Sequence, residues 1–145
     1  MPRRHEMHMI LAALAVAACG HPKTAAPANV KPATVERIEG SELARVTLTE
    51  RAAQRLRIQT ASVQEVVTAR SGRRTVVPYA AVLYDAEGDT WVYASPESLR
   101  YVRHAITIDY IDGDHAVLSS GPPAGTTVVT VGALQLFGAE FEIGH

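Results

Sequence analysis

Thr75-Val76-Val77-Pro78, Ala81-Val82-Leu83-Tyr84, Thr90-Trp91-Val92-Tyr93 and Thr127-Val128-Val129-Thr130-Val131 are four short runs of apolar, β-branched and aromatic residues inside one stretch, Arg74 to Ala133. A longer strand-turn-strand, Tyr101 to Ser119, lies between the last two runs and folds at Asp112-Gly113. Turn residues separate the runs at nearly even spacing, the pattern in which an all-β unit is written. Pro78 confines its own strand to an edge or an end, because it has no N–H to give a neighbour. Tyr84 to Asp89 is a polar hairpin connection, with Gly88 available for positive φ. Alternation puts Trp91 and Tyr93 on one face and Val92 on the other, with Trp91 a core anchor or a plug at a barrel end. A two-residue turn at Asp112-Gly113 pairs Ile111 with Asp114, Tyr110 with His115 and Ile108 with Val117.

On the amino-terminal side of this stretch, Ala44-Arg45-Val46-Thr47-Leu48 alternates as a short strand. Thr49 is a suitable N-cap for a helix over Glu50 to Arg57, with Glu50 in its first turn and Arg55 and Arg57 in its last, both favourable to the helix dipole. Ile58 to Gln64 reads as a further strand that can continue through Val67, and Arg70-Ser71-Gly72-Arg73-Arg74 as a polar loop. The expectation is a mainly β domain over residues 42–145, a small antiparallel split barrel or β-roll of about six to eight strands with one short helix.

The 145 residues are 47% hydrophobic and 20% charged with a formal net charge of -1, enough for one small domain. That near-neutral balance argues against nucleic acid as a partner, which calls for a basic excess on one face. The single cysteine excludes an internal disulfide framework and a cysteine-based zinc site. That cysteine, Cys19, ends a recognisable leader. Arg3 and Arg4 form a positive n-region, Met9 to Ala18 an apolar h-region, and Val16-Ala17-Ala18-Cys19 is similar to the lipobox of bacterial lipoproteins. The resemblance implies cleavage before Cys19 and its acylation, so that residues 1–18 are a signal peptide. Gly20, in place of an aspartate, slightly favours the outer membrane. Residues 19–41 then form a Pro/Ala-rich tether with prolines at 22, 27 and 32 and too little apolar surface for a core. At about 3 Å per residue it spans up to roughly 60 Å.

All three methionines precede Cys19, and the histidines after it are His21, His104, His115 and His145. A soft-ligand site for Cu(I) has no ligands left in such a chain, and the hairpin register separates His104 from His115. Asp109, Asp112 and Asp114 lack the spacing and closing glutamate of an EF-hand and read as a polar hairpin tip. Ser119, Ser120 and His115 are close in sequence without an acid or oxyanion donors to organise them. Arg51, Arg55 and Arg57 read as a solvated helix face, with Glu50 and Glu65 close by in sequence, rather than as a phosphate or lipid-headgroup patch. The chain is expected to be non-catalytic and to need no cofactor.

Val77-Pro78-Tyr79-Ala80-Ala81-Val82, then Asp85, Gly88, Trp91-Val92-Tyr93, Arg103, Ser120-Gly121, Ala124-Gly125, Val128-Val129 and Gly132-Ala133, form one ordered series. It resembles the membrane-proximal domain of periplasmic adaptor subunits, or membrane fusion proteins, of RND-type efflux pumps. Val46-Thr47-Leu48-Thr49 and Leu56-Arg57-Ile58-Gln59-Thr60 are similar to the opening strand and short helix of that domain. The likeness covers most of residues 44–137. It departs where adaptors carry a β-barrel, a lipoyl-like domain and usually a helical hairpin, since the whole interval here is Ser62 to Arg74, and Pro122-Pro123 follows Ser120-Gly121. The resemblance implies a lipid-anchored accessory or minimal adaptor whose partner is an efflux transporter subunit or a full-length adaptor. A periplasmic lipoprotein binding a metal ion or small molecule, and a decayed adaptor paralogue, are the alternatives. If Cys19 carries the anchor, Cys19→Ala moves the protein from the membrane fraction to the soluble fraction; unchanged partition in a fractionated envelope would refute it.

Overall fold

Residues 29–142 are described by the structure, a computed structural model. Cys19, the leader and most of the tether lie outside the described residues, as do His21 and His145. The elements are β1 (Ala33–Arg37), β2 (Ala44–Leu48), α1 (Glu50–Arg55), β3 (Gln59–Ser62), β4 (Gln64–Thr68) and β5 (Gly72–Pro78). A single 3-10 turn (Tyr79–Ala81) follows, then β6 (Leu83–Tyr84), β7 (Thr90–Glu97), β8 (Arg100–Asp112), β9 (His115–Ser120), β10 (Thr127–Val131) and α2 (Ala133–Glu142). The strands are antiparallel in the order β3-β10-β7-β8-β9-β5-β4, with β6 added to β7 and the β1–β2 pair joined to β8 through β2. The mainly β fold expected from the sequence is therefore present, as a curled half-barrel of ten strands among the described residues.

Strand alternation explains where the core sits. Successive residues of a strand face opposite sides of the sheet, and on β7 and β10 both sides are apolar. Tyr93 and Val129 join Val46, Leu48, Ala52, Tyr101 and Leu136 in one cluster. Val92 and Val128 join Val63, Val77, Ala116 and Leu118 in a second cluster on the other face. All four of these β7 and β10 residues are fully buried. Trp91 and Tyr93 share a face, as alternation requires. β8 serves both cores in turn: Tyr101 and Arg103 are buried near its start, Ile106 further along, and His104 and Ala105 between them are both exposed. Among the described residues, both clusters lie within 33–139.

α1 begins as its sequence requires. The Thr49 hydroxyl accepts from the Ala52 N–H at 3.2 Å. Its end comes two residues before the expected Arg57, and the hydrogen bonds show why. Arg57 adopts φ 52°, its N–H donates to the Gln54 carbonyl, and the Ile58 N–H donates to the Ala53 carbonyl, both at 3.1 Å. This is the paired closure of a Schellman motif, with arginine in the left-handed position where glycine is usual.

Four expectations need correction. Residues 33–37, expected within the tether, are strand β1, in full register with β2 from Ala33↔Leu48 to Arg37↔Ala44. Val35 packs on the first cluster and supplies the apolar contact that the proline-rich segment before it lacks. The interval Ser62 to Arg74 is not a loop but mostly the β4–β5 hairpin, paired from Gln64↔Val76 to Thr68↔Gly72. Its turn is built by Thr68, whose hydroxyl accepts from the Ser71 N–H at 3.1 Å, and by Gly72 at φ 69°. Ala81 to Tyr84 is a 3-10 turn followed by the two-residue β6, with Ala81 buried in the second cluster. The β8–β9 turn is Gly113-Asp114, so that Asp112 pairs with His115, Tyr110 with Val117 and Ile108 with Leu118. Gly113 at φ 60° takes the first turn position rather than the second. At Tyr110 the partner moves by two residues, which leaves its face unchanged.

α2 adds a second helix to the short one expected. It starts after Gly132, at φ 92°, where a Cβ would lie 2.3 Å from Ile58 Cδ1. Two substitutions at left-handed positions are expected to act in opposite directions. Arg57→Gly removes the steric cost of the left-handed arginine and raises stability by about 1 kcal/mol. Gly132→Ala imposes that cost and presses on Ile58, lowering stability by about 1–3 kcal/mol. Urea midpoints at constant m-value read both.

Candidate functional site

Among the described residues, the densest cluster of buried polar groups joins α2 to the sheet. Tyr93 on β7, Arg103 on β8 and Glu140 on α2 meet inside the first core. Arg103 Nε donates to both Glu140 oxygens, at 3.0 and 2.9 Å, and the Tyr93 hydroxyl donates to Glu140 Oε2 at 2.5 Å. The side chains of Arg103 and Glu140 are 9% and 4% exposed. The register places Tyr93 opposite Arg103 on neighbouring strands, which brings both to the same carboxylate. The guanidinium also stacks among aromatic rings, 4.5 Å from the centre of Trp91, 4.9 Å from Phe141 and 5.7 Å from Phe137. Phe137 and Phe141 touch each other at 4.7 Å between ring centres.

The electrostatics of this group are those of a clamp. Each Glu140 oxygen accepts from Arg103, and Oε2 accepts from Tyr93 as well, so the carboxylate's strongest acceptor directions are taken up within the protein. Burial, and then the Glu140 carboxylate beside it, push the Tyr93 hydroxyl far above the ordinary tyrosine range. A phenol held protonated in this way gives up no proton near neutral pH. The ion pair itself is not a large net stabiliser, because removing two charges from water costs about as much as their attraction returns. Its effect is positional: the three hydrogen bonds to Glu140 and the stacking of Arg103 on Phe137 and Phe141 fix the rotation and register of α2.

Trp91 has a second tie. Its indole Nε1–H donates to Asp85 Oδ2 at 2.8 Å, while Asp85 Oδ1 accepts from the N–H groups of Glu87 at 3.1 Å and Asp89 at 2.8 Å. The Trp91 hydrogen bond, ahead of the backbone ones, holds the Asp85 carboxyl below the usual carboxylate range. The polar 85–89 connection is thus wrapped on one carboxylate, with Gly88 at φ 89° as its turn residue. Outside it, the exposed Tyr79 and Tyr84 bring their hydroxyls to 3.4 Å.

The other residues singled out by sequence stay apart. His104 is exposed, its Nδ1 2.9 Å from the Ala105 carbonyl, and His115 Nδ1 lies 2.6 Å from Asp114. No group of three metal-ligating side chains forms among the described residues. Ser119 donates to the Thr107 carbonyl at 3.3 Å, in the sheet rather than in a triad. Arg51, Arg55 and Arg57 are exposed on and just after α1. Two surface depressions flank that helix. One, of about 900 Å³, runs between β1, α1 and α2, and another, of about 510 Å³, lies between the end of α1 and the β7–β8 connection.

Glu140 is the participant that sequence reading passed over. Its signal was available: one acidic residue in Leu136-Phe137-Gly138-Ala139-Glu140-Phe141, four residues after the buried Leu136 and therefore on the same side of a helix. Breaking the pair from either side leaves a buried charge alone, so Arg103→Met or Glu140→Leu is expected to cost about 3–5 kcal/mol, and the double substitution to recover most of it. Urea unfolding of the three variants measures this cycle. Tyr93 gives a pH signature. Its folded pKa is raised, so its contribution is complete below the unfolded value near 10 and is lost as pH climbs above it. An ultraviolet titration is expected to show one tyrosine that ionises only with unfolding. Compared with known proteins, the sequence matches no protein-family model and no curated protein.

Proposed function

We propose that this chain is a lipid-anchored, non-catalytic, adaptor-like subunit of an RND-type efflux system, held in the cell envelope through Cys19. Its β domain docks on the transporter or on a full-length adaptor. The observation that supports this reading is the interleaving of the two sequence segments that carry the adaptor likeness. The earlier segment, 44–60, supplies β2 and the start of β3, and the later one, 77–133, supplies β7, β8 and β10. β2 pairs with β8 through Val46↔Tyr101, and β3 pairs with β10 through Thr60↔Val129. The segments are thus two parts of one sheet, and the β4–β5 hairpin stands where adaptors continue into further domains.

The chemistry of the interior fits a docking module. The buried side chains of Tyr93, Arg103 and Glu140 are tied to one another in a clamp, and His104 and His115 are dispersed over the sheet. A rigid half-barrel with a fixed helix offers a partner a preformed surface, which lowers the ordering cost of association. The test is affinity capture of the tagged, lipidated chain from chemically cross-linked envelopes. A transporter or adaptor subunit is expected in the captured material, at a level well above that from an unrelated lipoprotein carried through in parallel. Recovery of no efflux component overturns the docking reading.

A further inference from the structure

α2 turns Leu136 and Glu140 inward and leaves an apolar stripe outside. Leu134, Gly138 and Phe141 follow one another at helical spacing, with Leu134 67% and Phe141 49% exposed. Beside the stripe runs the groove of about 900 Å³ between β1, α1 and α2. Its walls include Leu48, Ala52, Gly138 and Ala139, and Val30, 69% exposed, borders it on the β1 side. Arg51 and Arg55 line the α1 side, four residues apart and so on one face of the helix. Both are exposed, and neither is in an ion pair with a described residue. Glu142 is the only carboxylate lining the groove among the described residues.

An exposed apolar stripe bordered by exposed arginines is the composition of a surface that lies in a membrane interface, with side chains in the acyl boundary and cations at phosphate level. The course of the chain points the same way. Asn29, the first described residue, lines this groove, and Cys19 lies ten residues upstream. Fully extended, that segment spans at most about 35 Å. A lipid on Cys19 would therefore keep this face within about 35 Å of the bilayer and at high effective concentration.

We propose that the α1–α2 face is a second membrane contact, in which Leu134, Phe141 and Val30 enter the interface and Arg51 and Arg55 take the phosphates of anionic phospholipids. The contact sets the orientation of the domain on the bilayer, while retention is left to the acyl chains. This rests on the Cys19 reading for its geometry, but its test does not use that residue. Residues 20–145, which contain every described residue and leave out Cys19, serve as the form without the anchor. They are sedimented with vesicles of mixed phosphatidylethanolamine and phosphatidylglycerol and, in parallel, of phosphatidylcholine.

Binding is expected to the phosphatidylglycerol vesicles and to fall steeply with added salt. Arg51→Gln with Arg55→Gln is expected to weaken it by about 30-fold. Leu134→Asn, at an exposed site outside both clusters, is expected to weaken it further with an unchanged circular dichroism spectrum. Failure to bind phosphatidylglycerol vesicles, equal binding to phosphatidylcholine, or full binding by the double arginine variant each overturns the proposal. A dimer in sedimentation velocity that Leu134→Asn abolishes assigns the face to a second copy and overturns it as well. Efflux components captured from envelopes alongside a negative vesicle result would leave the docking function standing and remove only the membrane contact.

Discussion

Two neighbouring strands with apolar residues on both faces have to be covered twice, and the rest of this small domain follows from that demand. Val92 and Tyr93 on β7, and Val128 and Val129 on β10, are each fully buried. One cover comes from β1, β2 and the two helices, the other from β5, β9 and the curl of the sheet. A domain of this size ordinarily closes one core. Here the sheet runs between two. The first core is completed by a polar clamp, in which Arg103 and Tyr93 share the carboxylate of Glu140. The second is closed without ions, by Val63, Val77, Ile106, Ala116 and Leu118. An ion pair thus fixes the position of a helix on one side of the sheet, and apolar contact lines the other.

Much of this was legible in the residues, for identifiable reasons. β2 and the N-cap of α1 follow from strict alternation and from a threonine in the one position where its hydroxyl meets a free N–H. The facing of Trp91 and Tyr93 needs only the two-residue period of a strand. The β8–β9 hairpin was visible as an element but not in its register. Asp-Gly marks a turn without saying which of its residues takes the positive φ, and β8 and β9 carry irregularities in register near Ile108 that no local pattern announces. β1 was hidden because prolines at 27 and 32 give its surroundings the composition of a leash, while the strand owes its existence to a partner, β2, found by tertiary pairing. α2 was hidden because Gly138 and two phenylalanines lower its helix propensity; packing against β1, β2 and β7 decides it.

The site had a different kind of illegibility. Arg103 belonged to the ordered series that suggests an efflux adaptor, and Glu140 lay outside it, in a stretch read only as the end of the chain. No spacing rule connects residues 103 and 140. Their meeting depends on the β7–β8 register and on the direction in which α2 leaves Gly132, both products of the assembled fold. Cys19 is the reverse case: an expected attachment point, read entirely from its neighbours in sequence.

The β4–β5 hairpin has a consequence for how chains of this architecture change length. β4 lies at the edge of the sheet, where Val67 is 78% exposed, and it turns back at Thr68 and Gly72, which face each other across one ladder step. Adjacent strands are about 4.8 Å apart, so a guest domain whose two ends lie close together can be spliced into that turn, or excised from it, with neither core disturbed. The closure entropy of such an insertion grows only with the logarithm of its length. The hairpin is therefore a hinge point of gene architecture, at which a short chain and a much longer one can share the same scaffold.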